Sequence, residues 1–232
     1  MSDYLFELPE IFSIPVLGLS ARYPVRRIFC VGRNYAAHAA EMGGEVDREA
    51  PWYFTKSAAH AVGSDTVRPY PPGTQNYHHE MELAFAIGTP VFRASPVQAA
   101  EAIYAYGCGL DMTRRDRQQD GKDHRRPWSL GKDVEDAAVL APMTRAGDFG
   151  PIRDQRIHLE VNGEIRQDAT LAEMVWSCEE VVAHLSQFYH LAPGDVILSG
   201  TPAGVGPVQA GDRITGGIDG LEPISLELSA AE

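Results

Sequence analysis

The sequence predicts an α+β fold: a rolled, mixed β-sheet with few short helices. Three observations carry this prediction. Residues 79–87 alternate, from Glu80 onward, between polar or small and apolar side chains, the period of a strand. Several other short apolar runs are punctuated by glycine-rich turns. Helical patterns are few and short and do not alternate with the strands, which argues against a βαβ repeat.

Taken in order, residues 1–24 read as an arm that packs on the body or on a partner subunit, and residues 25–232 as one β-roll domain. Arg27 to Gly32 is a buried strand. Asn34 then caps a short helix, AAHAAEM, which Gly43 ends. The polar stretch GGEVDREAP follows, and the segment around 44–51 is expected to close over a site behind a Gly43-Gly44 hinge. Trp52 to Lys56 is strand-like, and residues 69–77 form a proline-rich loop. His79 to Ile87 is the clearest strand. Ser95-Pro96 opens a helix running to about Tyr106. GCGLD is a strand ending at Asp111, Thr113 begins a polar helical turn, and 120–126 is a charged loop. IHLEV-NG-EIRQD is a hairpin with a type I′ turn at Asn162-Gly163. Ser177-x-x-Glu180 is a capping box for a helix with Val181, Val182, Leu185 and Phe188 inward. The remainder, from DVIL to SLEL, is strands and glycine-rich turns.

Composition excludes several classes. The 232 residues carry a net charge of −12, the wrong sign for nucleic-acid binding. Such a surface also repels anionic substrates, so an anion would need a local cation, either a metal or clustered Lys and Arg. Cys30, Cys108 and Cys178 are widely spaced, which points to buried thiols and a reducing cytoplasm, not to disulfides or zinc. No apolar run approaches the roughly 20 residues of a membrane span, and the acidic first 20 residues lack the pattern of a secretory leader.

The sharpest chemical signal is HHEMELAFAIG, residues 78–88. Residues two apart share a strand face, so Glu80 and Glu82 point the same way. Adjacent like charges are destabilising unless a cation lies between them. Asp111, at the end of an apolar run, offers a third carboxylate. Oxygen-only donors select a hard ion, with Mg²⁺ first and Mn²⁺ or Ca²⁺ as alternatives. A solvated acidic face is the bland alternative. His78 and His79 read as structural or as support behind that site.

His38 and Glu41, three apart on a helix, form a His–carboxylate pair that could activate water. Arg33 and Asn34 at that helix start offer anion contacts. Lys132 could neutralise an oxyanion. Arg115 and Gln118 share a helix face that could reach the same pocket. The backbone amides of SGTPAGVG, together with Thr201, could bind a carboxylate. The ordinary alternatives are surface pairs and a solvated lysine.

Together, CVGRNYAAHAAEMG (30–43), NYHHEMELAFAIG (76–88), GLDMTRRDRQ (109–118), RPWSLGKD (126–133) and SGTPAGVGPVQAGD (199–212) resemble the fumarylacetoacetate hydrolase family, most of all its short acylpyruvase branch. The N-terminal stretch FSIPVLGLSARYPVRRIFCVGRNYAAHAAEMG looks like its fumarylpyruvate-cleaving members of gentisate breakdown. The resemblance implies a mixed β-roll and a homodimer. It implies metal ligands Glu80, Glu82 and Asp111, a catalytic His38–Glu41 dyad and Lys132 as an electrostatic helper, with Arg115, Gln118 and Thr201 near substrate. The implied reaction is metal-dependent hydrolysis of a small anionic dioxo acid to pyruvate and a second acid. Three departures stand out. Val31 and Gly32 occupy the region of a fourth metal carboxylate found in longer relatives, so three protein ligands are expected. Asp133 beside Lys132 is expected to damp its charge, and the 120–126 loop looks divergent. Rival readings are an oxaloacetate decarboxylase or a 2-oxo-diacid isomerase on the same scaffold, and, from another class, a non-catalytic metal-stabilised binding protein.

Overall fold

Alternation dictates how Met81–Ile87 sits at the centre of the molecule. Met81, Leu83, Phe85 and Ile87 enter the larger hydrophobic core, and Ala84 and Ala86 enter a smaller one on the opposite face. Fully burying each large side chain contributes about 1.5–3 kcal/mol. The computed structural model describes residues 4–45 and 47–232.

The main sheet runs in the order Tyr53–Lys56, Arg27–Val31, Asp195–Leu198, Met81–Ile87, Ile103–Asp111, Ala138–Leu140, Ala61–Gly63. It is mixed: Arg27–Val31 is parallel to Asp195–Leu198 and Ala61–Gly63 to Ala138–Leu140, while the other pairs are antiparallel. Its two outermost strands, Tyr53–Lys56 and Ala61–Gly63, are joined by residues 57–60 alone. A flat sheet would hold those edges about 29 Å apart, whereas this connection spans at most about 18 Å. The sheet therefore curls on itself. A second sheet, Glu164–Thr170, Arg156–Val161, Arg213–Ile218, Ile224–Ser229 and Thr66–Pro69, covers the larger core. This is the rolled, mixed sheet that the sequence predicts. Ser13–Pro15 and Arg22–Pro24 form a hairpin whose Ile14 and Tyr23 join the smaller core, and residues 4–11 are exposed.

Several local expectations need correction. The helix opened by the Ser95–Gln98 capping box ends at Ala102, not near Tyr106. Ile103 to Tyr106 instead extends the neighbouring strand, because β-branched and aromatic side chains pair well with residues 85–87. Residues 120–123 of the supposed charged loop continue the helix Arg115–Asp123, where Gln119 Nε2 donates to Asp123 Oδ1 at 2.7 Å. Phe188 is 67% exposed, because the helix Cys178–Leu185 ends before it. Asn34 is not the helix cap. Tyr35 holds that position, and the Asn34 amide donates to the carbonyls of Trp176 and Ser199, each at 2.9 Å. The turn at Asn162-Gly163 has φ of 55° and 81°, as a type I′ hairpin requires.

Candidate active site

Strand direction brings the candidate residues together. Arg27–Val31 and Asp195–Leu198 end, Met81–Ile87 begins and Ile103–Asp111 ends at one edge of the sheet. Glu82 is paired with Gly109, and the Asp111 amide donates to the Glu80 carbonyl at 2.9 Å. The carboxylates of Glu80, Glu82 and Asp111 thus share one face, and oxygens of all three lie within 4.8 Å of one another, all buried. No side chain fits at Gly109: a Cβ there would meet Leu198 Cδ2 at 2.6 Å.

Three buried cations face these carboxylates. Lys132 Nζ donates to Glu80 Oε2 and Asp111 Oδ2, each at 2.7 Å, and to Thr113 Oγ1 at 2.8 Å. Arg115 donates to Glu80 and, through Nη1, to Gln118 Oε1 at 2.7 Å. Lys56 Nζ lies 2.8 Å from Asp111 Oδ1, and its hydrogen bonds go to the carbonyls of Met112 and Lys132. Burial pushes the Glu80 carboxyl up, but the charges of Lys132 and Arg115 outweigh it and hold the group well below the usual carboxylate range. Burial likewise opposes the charge on Lys132, and Asp111 and Glu80 overcome it, so the ammonium is held charged. Glu82 differs. Burial, and then the charges of Asp111 and Glu80, raise its pKa well above the ordinary value. Its carboxylate accepts from the Gly200 amide at 2.8 Å, and among the described residues it has no cation partner.

The donor set fits a hard divalent cation. Three buried carboxylates converge, Glu82 has no salt-bridge partner among the described residues, and Asp111 Oδ1 accepts no well-aligned hydrogen bond. No nitrogen or sulfur ligand joins them among the described residues, which favours Mg²⁺, Mn²⁺ or Ca²⁺ over zinc. His79 lies 3.4 Å from Gln167 and His78 2.8 Å from Asn76. Burial and the Arg115 charge push the His78 pKa down to about 4.

His38 Nδ1 lies 3.3 Å from Glu41 Oε2, and both sit on the helix Ala36–Glu41. Burial lowers the His38 pKa and outweighs the raising effects of Glu80 and Glu41, so the ring is neutral at neutral pH. Arg33, His38, Glu80, Arg115, Gln118 and Lys132 line one cleft.

Other expectations fare differently. Thr201 is buried, and its hydroxyl accepts from Gln167 Nε2 at 2.8 Å, so it braces the turn and does not line the cleft. The amides of SGTPAGVG serve the protein's own carboxylates: Gly200 N donates to Glu82, and Gly204 N to Glu41 at 3.1 Å. Lys132 is not a solvated lysine: all three of its N–H groups are taken, so what it offers the cleft it lines is charge and not a free donor. Asp133 does not damp it. Its carboxylate turns away to the Ser57 amide and His60. Of the segment 44–51, Val46 lies outside the described residues, and the Asp47 carbonyl accepts from Trp176 Nε1 at 3.0 Å. Lys56 was missed. A four-residue strand, YFTK, carries too little periodicity to mark its lysine as buried.

Comparison with known proteins shows the family. Residues 27–227 match the profile of the fumarylacetoacetate (FAA) hydrolase C-terminal family. A fumarylpyruvate hydrolase of a Ralstonia species is 48% identical over 197 residues, covering 82% of this chain and all of the relative. An oxaloacetate tautomerase of Escherichia coli K12 is 39% identical over 204 residues, covering 88% of this chain and 93% of the relative. The crystal structure of fumarylpyruvate hydrolase from Pseudomonas aeruginosa in complex with Mn²⁺ and pyruvate superposes with a TM-score of 0.94 at 41% identity, covering 98% of this chain and all of the other. The chain belongs to the fumarylacetoacetate hydrolase family.

Proposed function

We propose that this protein hydrolyses the carbon–carbon bond of an acylpyruvate in a divalent-metal-dependent reaction, with fumarylpyruvate as substrate and fumarate and pyruvate as products. One observation carries the reading: the Glu80–Glu82–Asp111 cluster and the His38–Glu41 pair come together at one sheet edge, with His38 and Glu80 lining the same cleft. The Ralstonia relative and the Pseudomonas structure support the choice of substrate.

Glu80, Glu82 and Asp111 would hold the cation, with Mg²⁺ our first choice. When bound, it supplies Lewis-acid charge for the carboxylate and 2-oxo end of the substrate. His38 takes a proton from water, and Glu41, against Nδ1, fixes the ring so that Nε2 is the base. The hydroxide bonds to the distal carbonyl carbon. Gln118 Oε1 is held by Arg115, which leaves its amide N–H groups to donate to the oxyanion, and Lys132 contributes positive charge there. The bond from that carbon to the pyruvyl methylene then breaks. Its electron pair leaves with the pyruvate fragment as an enolate, which takes up the proton held by His38. Arg33 binds an anionic part of the substrate, and Thr201 supports the site through Gln167.

We further place the protein in the cytoplasm, as a homodimer in gentisate breakdown. The three reduced, buried cysteines support the compartment, and the exposed apolar Leu5, Phe6 and Ile11 support a second copy as partner. The test is incubation of fumarylpyruvate with Mg²⁺- or Mn²⁺-loaded protein, following loss of dioxo-acid absorbance and identifying the products. Stoichiometric fumarate and pyruvate are expected, and His38→Ala lowers turnover at least about 100-fold. Full activity in His38→Ala would favour a non-catalytic binding role. The Escherichia coli relative favours one second reading, tautomerisation of oxaloacetate. Enol–keto interconversion of oxaloacetate with no cleavage of fumarylpyruvate would establish that reading instead.

A further inference from the structure

In a chain of net charge −12, four cations line one cleft: Arg33, Arg115, Lys122 and Lys132. Arg115 and Lys132 are committed to Glu80 and Asp111. Arg33 and Lys122 are not. Both are partly buried, and among the described residues neither has a carboxylate within salt-bridge distance. Each is held instead by contacts that leave its charge uncompensated. Lys122 Nζ lies 5.1 Å from the centre of the Trp128 ring, and Trp128 stands edge-on to Trp52 at 5.1 Å. The Arg33 guanidinium rests on the bare Cα of Gly44, where a Cβ would meet Nη1 at 2.5 Å. Burial chiefly lowers the Lys122 pKa, and the nearby charges of Arg115 and Arg33 add to it. An anion entering the cleft relieves that repulsion.

We propose that Arg33 and Lys122 form a subsite for the distal carboxylate of a dianionic dioxo acid, so that the cleft selects diacids over acylpyruvates with neutral tails. This rests on the hydrolase reading for which end of the substrate reacts. The carboxylate next to the 2-oxo group belongs to the metal end. The second carboxylate lies at the far end of the acyl chain and requires cations that the carboxylate cluster does not already hold. Lys122 is on the same helix as Arg115 and Gln118, one turn beyond Gln118, so a single rigid element presents groups for both the reacting carbonyl and the tail.

The test uses His38→Ala protein loaded with Mn²⁺, in which bound substrate survives. Calorimetry compares fumarylpyruvate with its methyl ester at the fumaryl carboxyl. The ester is expected to bind about 10- to 100-fold more weakly, the loss typical of a charge-assisted contact. Adding Lys122→Met or Arg33→Met should bring the ratio toward one, and Lys122→Arg should keep it. Equal affinity for both compounds in the His38→Ala protein, or a ratio that survives both Met variants, overturns the subsite. The first comparison alters neither cation, so it decides even where a Met variant does not fold. Wild-type protein that prefers the diacid without cleaving it would overturn the hydrolase reading and leave the subsite standing. Cleavage of both compounds with equal kcat/KM would do the reverse.

Discussion

The Asp111 amide donates to the Glu80 carbonyl at 2.9 Å, and this bond sets their two carboxylates side by side with Lys132 Nζ 2.7 Å from an oxygen of each. Lys132 therefore bridges two buried anions, which Arg115 and Lys56 also face and which a divalent cation would share. Lys132→Met should lower metal-free stability by about 1–3 kcal/mol, less than the full cost of an unpaired buried charge, because Arg115 still faces Glu80 and Lys56 still faces Asp111. Mn²⁺ should then raise the melting temperature of the variant by more than that of the wild type. Thermal melts in EDTA and in Mn²⁺ measure this, and an equal rise in both proteins contradicts the shared-charge account.

Glu82 behaves in the opposite way. It is buried with no cation partner among the described residues, so its charge stabilises nothing in the metal-free protein. Glu82→Gln is expected to leave the metal-free melting temperature unchanged or higher. It should weaken Mn²⁺ binding beyond the roughly 10- to 100-fold typical of outer-shell changes. A Mn²⁺ titration with unaltered affinity would remove Glu82 from the ligand set.

The His38–Glu41 pair makes a pH prediction. Burial lowers the His38 pKa from 6.5 despite the raising effects of Glu80 and Glu41. A general base works unprotonated, so kcat/KM falls as pH drops through that pKa, and the acid limb has its midpoint below 6.5. Glu41→Gln removes a carboxylate that raises the pKa. The limb should move further toward acid while kcat falls at least about tenfold. A limb that moves toward alkaline pH in Glu41→Gln rules out this pairing.

Gly131 holds the Lys132 turn against the helix Arg115–Asp123. A Cβ there would lie 2.7 Å from Gln118 N and 2.9 Å from its Cα, both backbone atoms that cannot swing aside. Gly131→Ala should cost about 1–3 kcal/mol of stability. It should also lower kcat/KM more than tenfold, by separating Lys132 from Arg115 and Gln118. Gly147→Ala is the control. Nothing lies within 4 Å of a Cβ there, and the helix Ala146–Phe149 gains about 1 kcal/mol or less. Denaturant titrations and kinetics on the pair decide whether Gly131 has this role.

Much of the site was legible because its signals are local. Period-two alternation placed Glu80 and Glu82 on one face, and the apolar run before Asp111 marked a buried strand end. The Ser95-Pro96 helix start, the Ser177 capping box and the Asn162-Gly163 turn depend on residues within four positions of one another, and all three formed. Asn34 misled because an asparagine before a helix is an ordinary cap, while its amide here finds the carbonyls of Trp176 and Ser199, more than 140 positions away in the chain. Lys56 was invisible for a related reason. Its partners are Asp111 and the carbonyls of Met112 and Lys132, and only the curl of the sheet brings them to it.

The sequence by itself determined the strand faces, the turn chemistry and the inventory of acidic, basic and imidazole groups, because these follow from backbone periodicity and side-chain type. Only the tertiary structure decided how the charges are shared. It gave Lys132 to Glu80 and Asp111, turned the amides of Gly200 and Gly204 toward Glu82 and Glu41, and left Arg33 and Lys122 as cations without ion-pair partners among the described residues. Electrostatic pairing depends on distances of a few ångströms between groups remote in sequence, and the closing of the rolled sheet sets those distances.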